Sequence, residues 1–318
     1  MKQLIRRDVV VASIGIVIVT YNRLDKLKIA LDCFDAQSYA PKYVLVVDNA
    51  SSDGTKEYLN GWQQASGAFR KIIITMDSNT GGSGGFYAGL ERAVDLDADW
   101  IWVSDDDAFP EADALEQLNV FIESGKEETD NISAVCCQVV NHGKPDLFHR
   151  RSIIQNGFHV HDVCSADTDY KKEYFEIGCF SYVGAAISKK KLETVGLARK
   201  DYFIYYDDTE HSLRLSKAGK IYCVPSAKVH HDTVGEGGLS WKTYYGTRNK
   251  LDMIRQHFPG YVYAYYSLNL FARAIAARMV RRDKEKCRMY LKALKDCRAG
   301  RFGIDEVYKP GWQPQETR

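Results

Sequence analysis

The sequence has almost no net charge: 43 Lys and Arg stand against 42 Asp and Glu, leaving +1. Nothing global therefore argues for a nucleic-acid partner. Its eight cysteines (33, 136, 137, 164, 179, 223, 287 and 297) contain no CxxC pair and no framework spacing. A chain of 318 residues can bury enough core to fold without disulfide staples, so reduced thiols in a cytoplasm are the simpler expectation. No apolar run approaches the ~18 residues that read as a transmembrane helix. Met1 to Arg7 followed by Val9 to Val19 imitates a secretory signal, yet no small-residue cleavage site follows, and the run reads better as a first buried strand. Two nucleotide fingerprints are missing too. Counted from Gly82, GxGxxG fails at Tyr87, and GxxxxGK[ST] is absent. What remains is an ordinary globular balance, 45% hydrophobic and 27% charged, enough for one large domain or two small ones.

The most informative feature present is a run of consecutive acids, Asp105-Asp106-Asp107, at the end of the apolar stretch Trp100 to Ser104. Crowded carboxylates repel, more so where water is thin, and a cation relieves them. Oxygen ligands select hard ions such as Mg²⁺ or Mn²⁺, which bridge protein carboxylates to phosphates. A solvated acidic turn ahead of the helix after Pro110 is the plainer alternative.

Periodicity places these acids. Ile14–Val19, Tyr43–Val47, Ile72–Thr75 and Trp100–Ser104 read as buried strands, separated by helical segments. The first helix carries Leu24, Leu27, Leu31 and Phe34 on one face; the second, capped by Ser52 or Asp53, carries Tyr58, Leu59 and Trp62. A glycine loop over Asn79–Gly85 leads into a third helix with Phe86, Leu90 and Val94. This rhythm predicts an α/β fold, a mostly parallel sheet with helices on both faces. In such sheets ligands bind beyond the carboxyl ends of the strands, where Asp48-Asn49, the Asn79 loop and the acid triplet fall.

The stretch from Val135 to about Tyr182 is mixed. Lys189–Val195 reads as a short helix closed by Gly196, and Tyr202–Glu210 leads into a helix that ends at Gly219, followed by a strand at Ile221–Val224. We divide the chain into a unit 1–238 and a helical, tyrosine-rich, basic segment 239–318.

Several residues suit ligand chemistry, each with a bland counterpart. Four glycines among Gly81–Gly85 let a backbone approach phosphate, or merely form a tight turn. Asp48 can bond a base or ribose, or start an Asx turn. Arg23 can pair with phosphate or stay solvated. Asp207 fits a capping box with Glu210, which puts Asp208 in the first helical turn, where the dipole favours an ionised and somewhat weaker base. His230-His231 follows a strand and can add an imidazole to a carboxylate-bound ion.

In this order, Thr20-Tyr21-Asn22-Arg23, Val46–Thr55, Asn79–Phe86, Asp105-Asp106-Asp107, Asp207–Glu210 and Val229–His231 resemble the family 2 inverting glycosyltransferases of GT-A fold. The likeness spans roughly residues 12 to 235. It is strongest to bacterial galactofuranosyltransferases, with rhamnosyltransferases using dTDP-rhamnose second. The resemblance implies that Thr20, Arg23, Asp48, Asn49, Asn79, Gly82 and Asp106 bind a UDP-sugar. It implies a divalent cation, Mn²⁺ or Mg²⁺, on Asp105, Asp107 and His231, with Asp208 as general base. Tyr182, Gly184 and Asp207 would lie toward the acceptor, a glycan or lipid-linked glycan. The chain departs from the pattern in carrying two histidines where one is usual; His231 lies farther past the strand, and His230 stays open. A tryptophan pair found in some galactofuranosyltransferases is replaced by Phe180–Gly184.

Residues 262 to 290 read as one basic amphipathic helix, with Tyr263, Tyr266, Leu270, Phe271, Ile275 and Met279 against Arg273, Arg278, Arg281, Arg282, Lys284, Lys286 and Arg288. This predicts peripheral contact at the cytoplasmic face of a membrane, against simple packing on the catalytic unit. A nucleotidyltransferase and a non-catalytic sugar-nucleotide-binding module are the competing functions.

Overall fold

The computed structural model describes residues 12–232, 238–280 and 282–314. The signal-like residues 1–11 and Arg281 lie outside the described residues.

β1 (Ile14–Thr20) is buried along its length. Its β-branched residues favour the pleated backbone, and its two faces feed separate cores. Ile14, Ile16 and Ile18 pack with Leu27, Phe34 and Trp102 on one side; Val17 and Val19 pack with Phe86, Leu90 and Val103 on the other. α1 (Leu24–Asp35) buries Leu27, Ala30, Leu31 and Phe34. β2 (Tyr43–Asp48), α2 (Thr55–Gln64), β3 (Arg70–Thr75), α3 (Gly81–Val94) and β4 (Trp100–Asp105) complete the rhythm. β1 pairs in parallel with β2 and β4, and β2 with β3. The register sets Thr20 beside Asp48 and Val19 beside Asp105, so the polar strand ends share one rim.

The chain then mixes directions. β5 (Phe109–Pro110) and α4 (Ala114–Glu123) precede β6 (Ile132–Asn141), β7 (Lys144–Pro145), β8 (Arg150–Asn156) and β9 (His159–Cys164). After them come β10 (Phe175–Ile177), β11 (Cys179–Phe180), β12 (Ala185–Ser188), α5 (Lys189–Val195), α6 (Asp207–Ala218) and β13 (Lys220–His230). The large sheet runs β10-β13-β6-β12-β4-β1-β2-β3, with β12 antiparallel to both β4 and β6. β11-β8-β9 form a second sheet. The mixed middle of the sequence is this antiparallel part.

The structure alters several expectations. β13 does not stop at Val224: it passes Pro225 with a register shift and ends at His230. Asn79–Gly85 is not a free loop, because α3 already begins at Gly81. Neither Ser52 nor Asp53 is the cap residue of α2. Gly54 is, in a left-handed conformation, while Asp53 accepts from the backbone of Leu24 and Thr55 and stitches α1 to α2. Asp207 is no cap either: Tyr206 holds that position, and Glu210 turns to Arg214 and His257.

The C-terminal segment is helical, but not as one amphipathic rod. α7 (Trp241–His257), α8 (Gly260–Met279) and α9 (Lys284–Arg298) follow each other. Asp283 breaks the expected helix by capping α9 through the backbone N–H of Lys286. Leu270 packs inward with Tyr290 and Leu294, whereas Phe271, Ile275 and Met279 are exposed. Among the described residues no helix is long and apolar enough to cross a membrane.

Candidate active site

Two acidic groups meet at the carboxyl rim. The first is the turn after β4. Asp106 is buried and accepts from the Thr20 hydroxyl at 2.7 Å and from Arg23 Nη1 at 3.2 Å. Asp107 accepts from Arg23 Nη1 at 2.9 Å and Lys26 Nζ at 3.1 Å. Its other oxygen lies 3.3 Å from His231 Nε2. One ligand atom from each of Asp105, Asp107 and His231 falls within 4.8 Å of the others. His230 points the other way, onto Glu111 at 3.0 Å, as strand alternation requires.

The electrostatics of this group suit a cation. Burial, then the Asp107 charge, pushes the Asp105 carboxyl up to about 7. Burial also raises Asp106, against Arg23 and Thr20. Burial acts upward on Asp107 too, but the His231 hydrogen bond and Arg23 overcome it and hold that carboxyl below the usual range. Burial acts to lower His231, and its bond to Asp107 and the Asp105 charge raise it instead. Among the described residues, His231 Nδ1 is buried without a hydrogen-bond partner. Two carboxylates and an imidazole fit a borderline ion such as Mn²⁺.

The second group is Asp207-Asp208 at the start of α6. The turn before it carries Phe203, Tyr205 and Tyr206 at φ of 68°, 66° and 69°. Bulky side chains rarely adopt this conformation, and such strain collects at functional sites. Burial and the neighbouring Asp208 push the Asp207 carboxyl up to about 8, and the Asp105 charge adds to this. That last cause places both acidic groups in one field. Burial raises Asp208, with Arg151 and Thr209 opposing. The expectation that the helix terminus would keep Asp208 a weak base is thereby reversed, because desolvation outweighs the dipole.

The other expected residues divide. Asp48 uses Oδ1 to accept from the Ser51 N–H in a turn, as the Asx reading has it, but Oδ2 is buried with no partner among the described residues. Asn49 and Asn79 are bonded to each other at 3.2 Å, and Asn49 also holds Thr80 and Gly81. Gly81, Gly84 and Gly85 face Phe203, Thr80 and Val19 so closely that a Cβ would collide; only beside Gly82 of the four is there open space. Tyr182 and Gly184 lie in the interior, and burial, joined by the charges of Asp207 and Asp208, raises the phenol of Tyr182. Tyr182 is buried with its hydroxyl on His211 Nδ1, and Gly184, at φ +67°, packs against Val229.

Residues not singled out from the sequence also surround the site. Arg151, buried, bonds Thr209 Oγ1 at 2.8 Å and opposes the raised carboxyl of Asp208. His149 packs edge-on against His231 at 5.4 Å, and burial followed by Arg150 pushes its imidazole down to about 3, so it stays neutral. No local motif announces either, since the turn ending at His149 and the strand β8 that follows it bring them in from far along the chain.

Comparison with known proteins was made against this geometry. Residues 15–196 match the family described as Glycosyl transferase family 2. Galactofuranosyltransferase GlfT1 of Mycobacterium tuberculosis is 26% identical over 222 residues, 69% of this chain and 70% of that protein. The dTDP-rhamnosyl transferase RfbF of Shigella flexneri is 24% identical over 264 residues, 78% of this chain and 82% of that protein. Among solved structures, GalNAc-T7 with UDP, GalNAc and Mn²⁺ matches at TM-score 0.65 and 15% identity over 91% of this chain, which spans 56% of that one. The architecture is the GT-A fold of these glycosyltransferases.

Proposed function

The chain belongs to glycosyl transferase family 2, and from that premise we propose that it transfers a sugar from a nucleotide-sugar donor to a hydroxyl of a growing cell-surface glycan, with inversion. Galactofuranose from UDP-galactofuranose is the donor we favour, because the GlfT1 likeness is the one at 26% identity. The observation that carries the reading is the convergence of the Asp105–Asp107–His231 cluster with the Asp207-Asp208 pair.

Asp208 accepts the proton of an acceptor hydroxyl while that oxygen attacks the anomeric carbon and the bond to the diphosphate breaks. Arg151 orients the pair through Thr209, and the strained turn before Asp207 fixes its approach. Arg23 and Lys26 stand ready to exchange their carboxylate contacts for donor phosphates. The orphan Oδ2 of Asp48 faces a polar group of the nucleoside, and the open side of Gly82 admits the sugar–diphosphate. A divalent cation held by Asp105, Asp107 and His231 would supply Lewis-acid neutralisation of the leaving diphosphate. We assign this chemistry to the unit 1–238 and a supporting role to the segment 239–318. We place the reaction at the cytoplasmic face of a membrane, with a lipid-linked glycan as acceptor.

The test is nucleotide release from UDP-galactofuranose, UDP-galactopyranose, UDP-glucose and dTDP-rhamnose, with Mn²⁺ and with EDTA. Turnover of UDP-galactofuranose with Mn²⁺ and its loss in EDTA are expected. Preference for dTDP-rhamnose is the second reading, which the Shigella relative favours. Donor binding without release, whatever the acceptor, would reduce the chain to a binding module and sink the enzymatic reading.

A further inference from the structure

α8 buries one side and leaves the opposite side bare. Val262, Leu270, Ala274 and Ala277 are buried, the last three with Tyr290 and Leu294 of α9. Across the helix, Tyr261, Leu268, Phe271, Ile275 and Met279 are exposed, from 42% at Ile275 to 74% at Met279. Their intervals keep them on one side of the rod, with the half-buried Tyr265 among them. Single exposed apolar residues are ordinary, but a continuous row marks a surface that meets a partner. Phe158, exposed at the tip of the β8–β9 hairpin, extends the row. Its ring lies 5.4 Å from that of Tyr261 and 5.8 Å from that of Tyr265.

The charges beside this face favour one sign. α8 contains no Asp or Glu. Arg278 follows Phe271 at i+7 and Ile275 at i+3, on the flank of the row. Arg282 and Lys284 come after the end of the helix, and all three cations are exposed. Of the two acids next in the chain, Asp283 caps α9 and Glu285 pairs with Arg288. Among the described residues no carboxylate pairs with Arg278, Arg282 or Lys284. A helix face that is aromatic at one end, aliphatic beyond it and cationic at its flank and other end fits the headgroup–acyl boundary of an anionic lipid layer. A second copy of the chain fits it less well. From Tyr261 to Met279 the face is ~27 Å long and ~10 Å wide, roughly 300 Å² per copy, against the ~800 Å² per partner of a stable pair.

Resting on the glycosyltransferase reading with its lipid-linked acceptor, we propose that the exposed face of α8, together with Phe158, docks this protein on an anionic lipid surface. Phe158, Tyr261 and Tyr265 sit at the headgroup level. Leu268, Phe271, Ile275 and Met279 enter the acyl boundary, and Arg278, Arg282 and Lys284 meet the lipid phosphates.

Cosedimentation of the full chain with vesicles of phosphatidylcholine, alone or mixed with phosphatidylglycerol, tests this. Binding to the mixed vesicles should be about tenfold or more tighter, and added salt should weaken it. The double variant Leu268→Asp, Ile275→Asp should bind them about tenfold or more weakly, because it sets two carboxylates in the apolar face. Both positions are exposed, so its thermal unfolding should match that of the native chain. Arg278→Gln leaves the apolar face whole and carries the test if the double variant unfolds early. It should lower binding to the mixed vesicles about fivefold and leave binding to phosphatidylcholine unchanged. Equal binding to the two vesicle types, native binding in a folded double variant, or no binding would overturn the proposal. A lipid-free dimer in light scattering that the double variant dissociates, with no vesicle binding, would assign the face to a second copy instead. Nucleotide release with Mn²⁺ is measured separately. A chain that releases nucleotide but ignores vesicles loses this surface alone, whereas one that binds vesicles but releases none keeps the surface and removes the donor reading.

Discussion

Asn249 Nδ2 donates to the carbonyl oxygen of Tyr205 at 2.9 Å, and this ties α7 to the turn before the paired acids. The same amide also reaches the carbonyls of Tyr202 at 3.0 Å and Ile204 at 2.9 Å. Arg248 bonds Tyr202 O at 3.1 Å and Asn249 Oδ1 at 3.0 Å. Both side chains are buried. Three aromatics at positive φ cost about 1–3 kcal/mol each, and a strained turn persists only where its surroundings over-determine it. The C-terminal segment thus holds the turn before the paired acids through side-chain hydrogen bonds to that turn's carbonyls.

Asn249→Asp keeps the shape but cannot donate. Turnover should fall about 10²-fold through misplacement of Asp208, while UDP affinity with Mn²⁺ is kept. Steady-state kinetics beside calorimetric UDP titration check this. Unchanged turnover would mean that the turn holds its conformation without α7.

The first half of this architecture was legible because its apolar periods are clean. Ile14–Val19 and the helix face of Leu27, Leu31 and Phe34 appear where the sequence places them. The acid triplet at a strand end was legible for the same reason. The choice between His230 and His231 was hidden by Pro225, which argues against a continuing strand; β13 passes it with a bulge, and alternation then aims His231 at Asp107. Asn249 and Arg151 carry no local signal, since their partners lie 44 and 58 residues away along the chain.

Asp208→Asn is nearly isosteric but takes no proton. Turnover should drop about 10²-fold or more, with donor affinity retained. Burial and Asp208 raise Asp207 to about 8, so the pair holds a proton near neutrality and kcat should climb as pH carries that proton away. Asp207→Asn removes the like charge beside Asp208 and should move this acid limb of the kcat profile to lower pH. A profile unmoved by Asp207→Asn, or full activity in Asp208→Asn, would transfer the base to another group.

Glu210 gives a pH dependence of stability. Burial acts upward on its carboxyl, but bonds from His257 and Arg214 hold it down to about 2, against 4.5 ordinarily. A lowered carboxyl contributes stability above its unfolded value and loses it as pH falls. The loss should run from about pH 4.5 down through about pH 2 and reach on the order of 3 kcal/mol. Urea unfolding of the native chain and of Glu210→Gln across this range should show the flatter dependence in the variant. Parallel curves would assign the acid sensitivity to other carboxylates.

The glycines at the start of α3 separate packing from ligand approach. Gly81 sits at φ +74°, and a Cβ there would lie 1.9 Å from the carbonyl oxygen of Phe203, in the strained turn itself. Beside Gly82 a Cβ would meet nothing within 4 Å. Gly81→Ala must therefore shift backbone or lose the helix start, and should destabilise by more than about 1 kcal/mol. Gly82→Ala sits in a helical position where alanine is favoured by about 1 kcal/mol, so its unfolding temperature should hold or rise. If the open side of Gly82 admits the sugar–diphosphate, the same methyl group occupies that space and KM for the donor should increase. Thermal unfolding and donor kinetics on the two variants check both halves. A Gly82→Ala enzyme with native KM would make all of these glycines a packing device, and the donor would then approach from the Asp48 side of the rim.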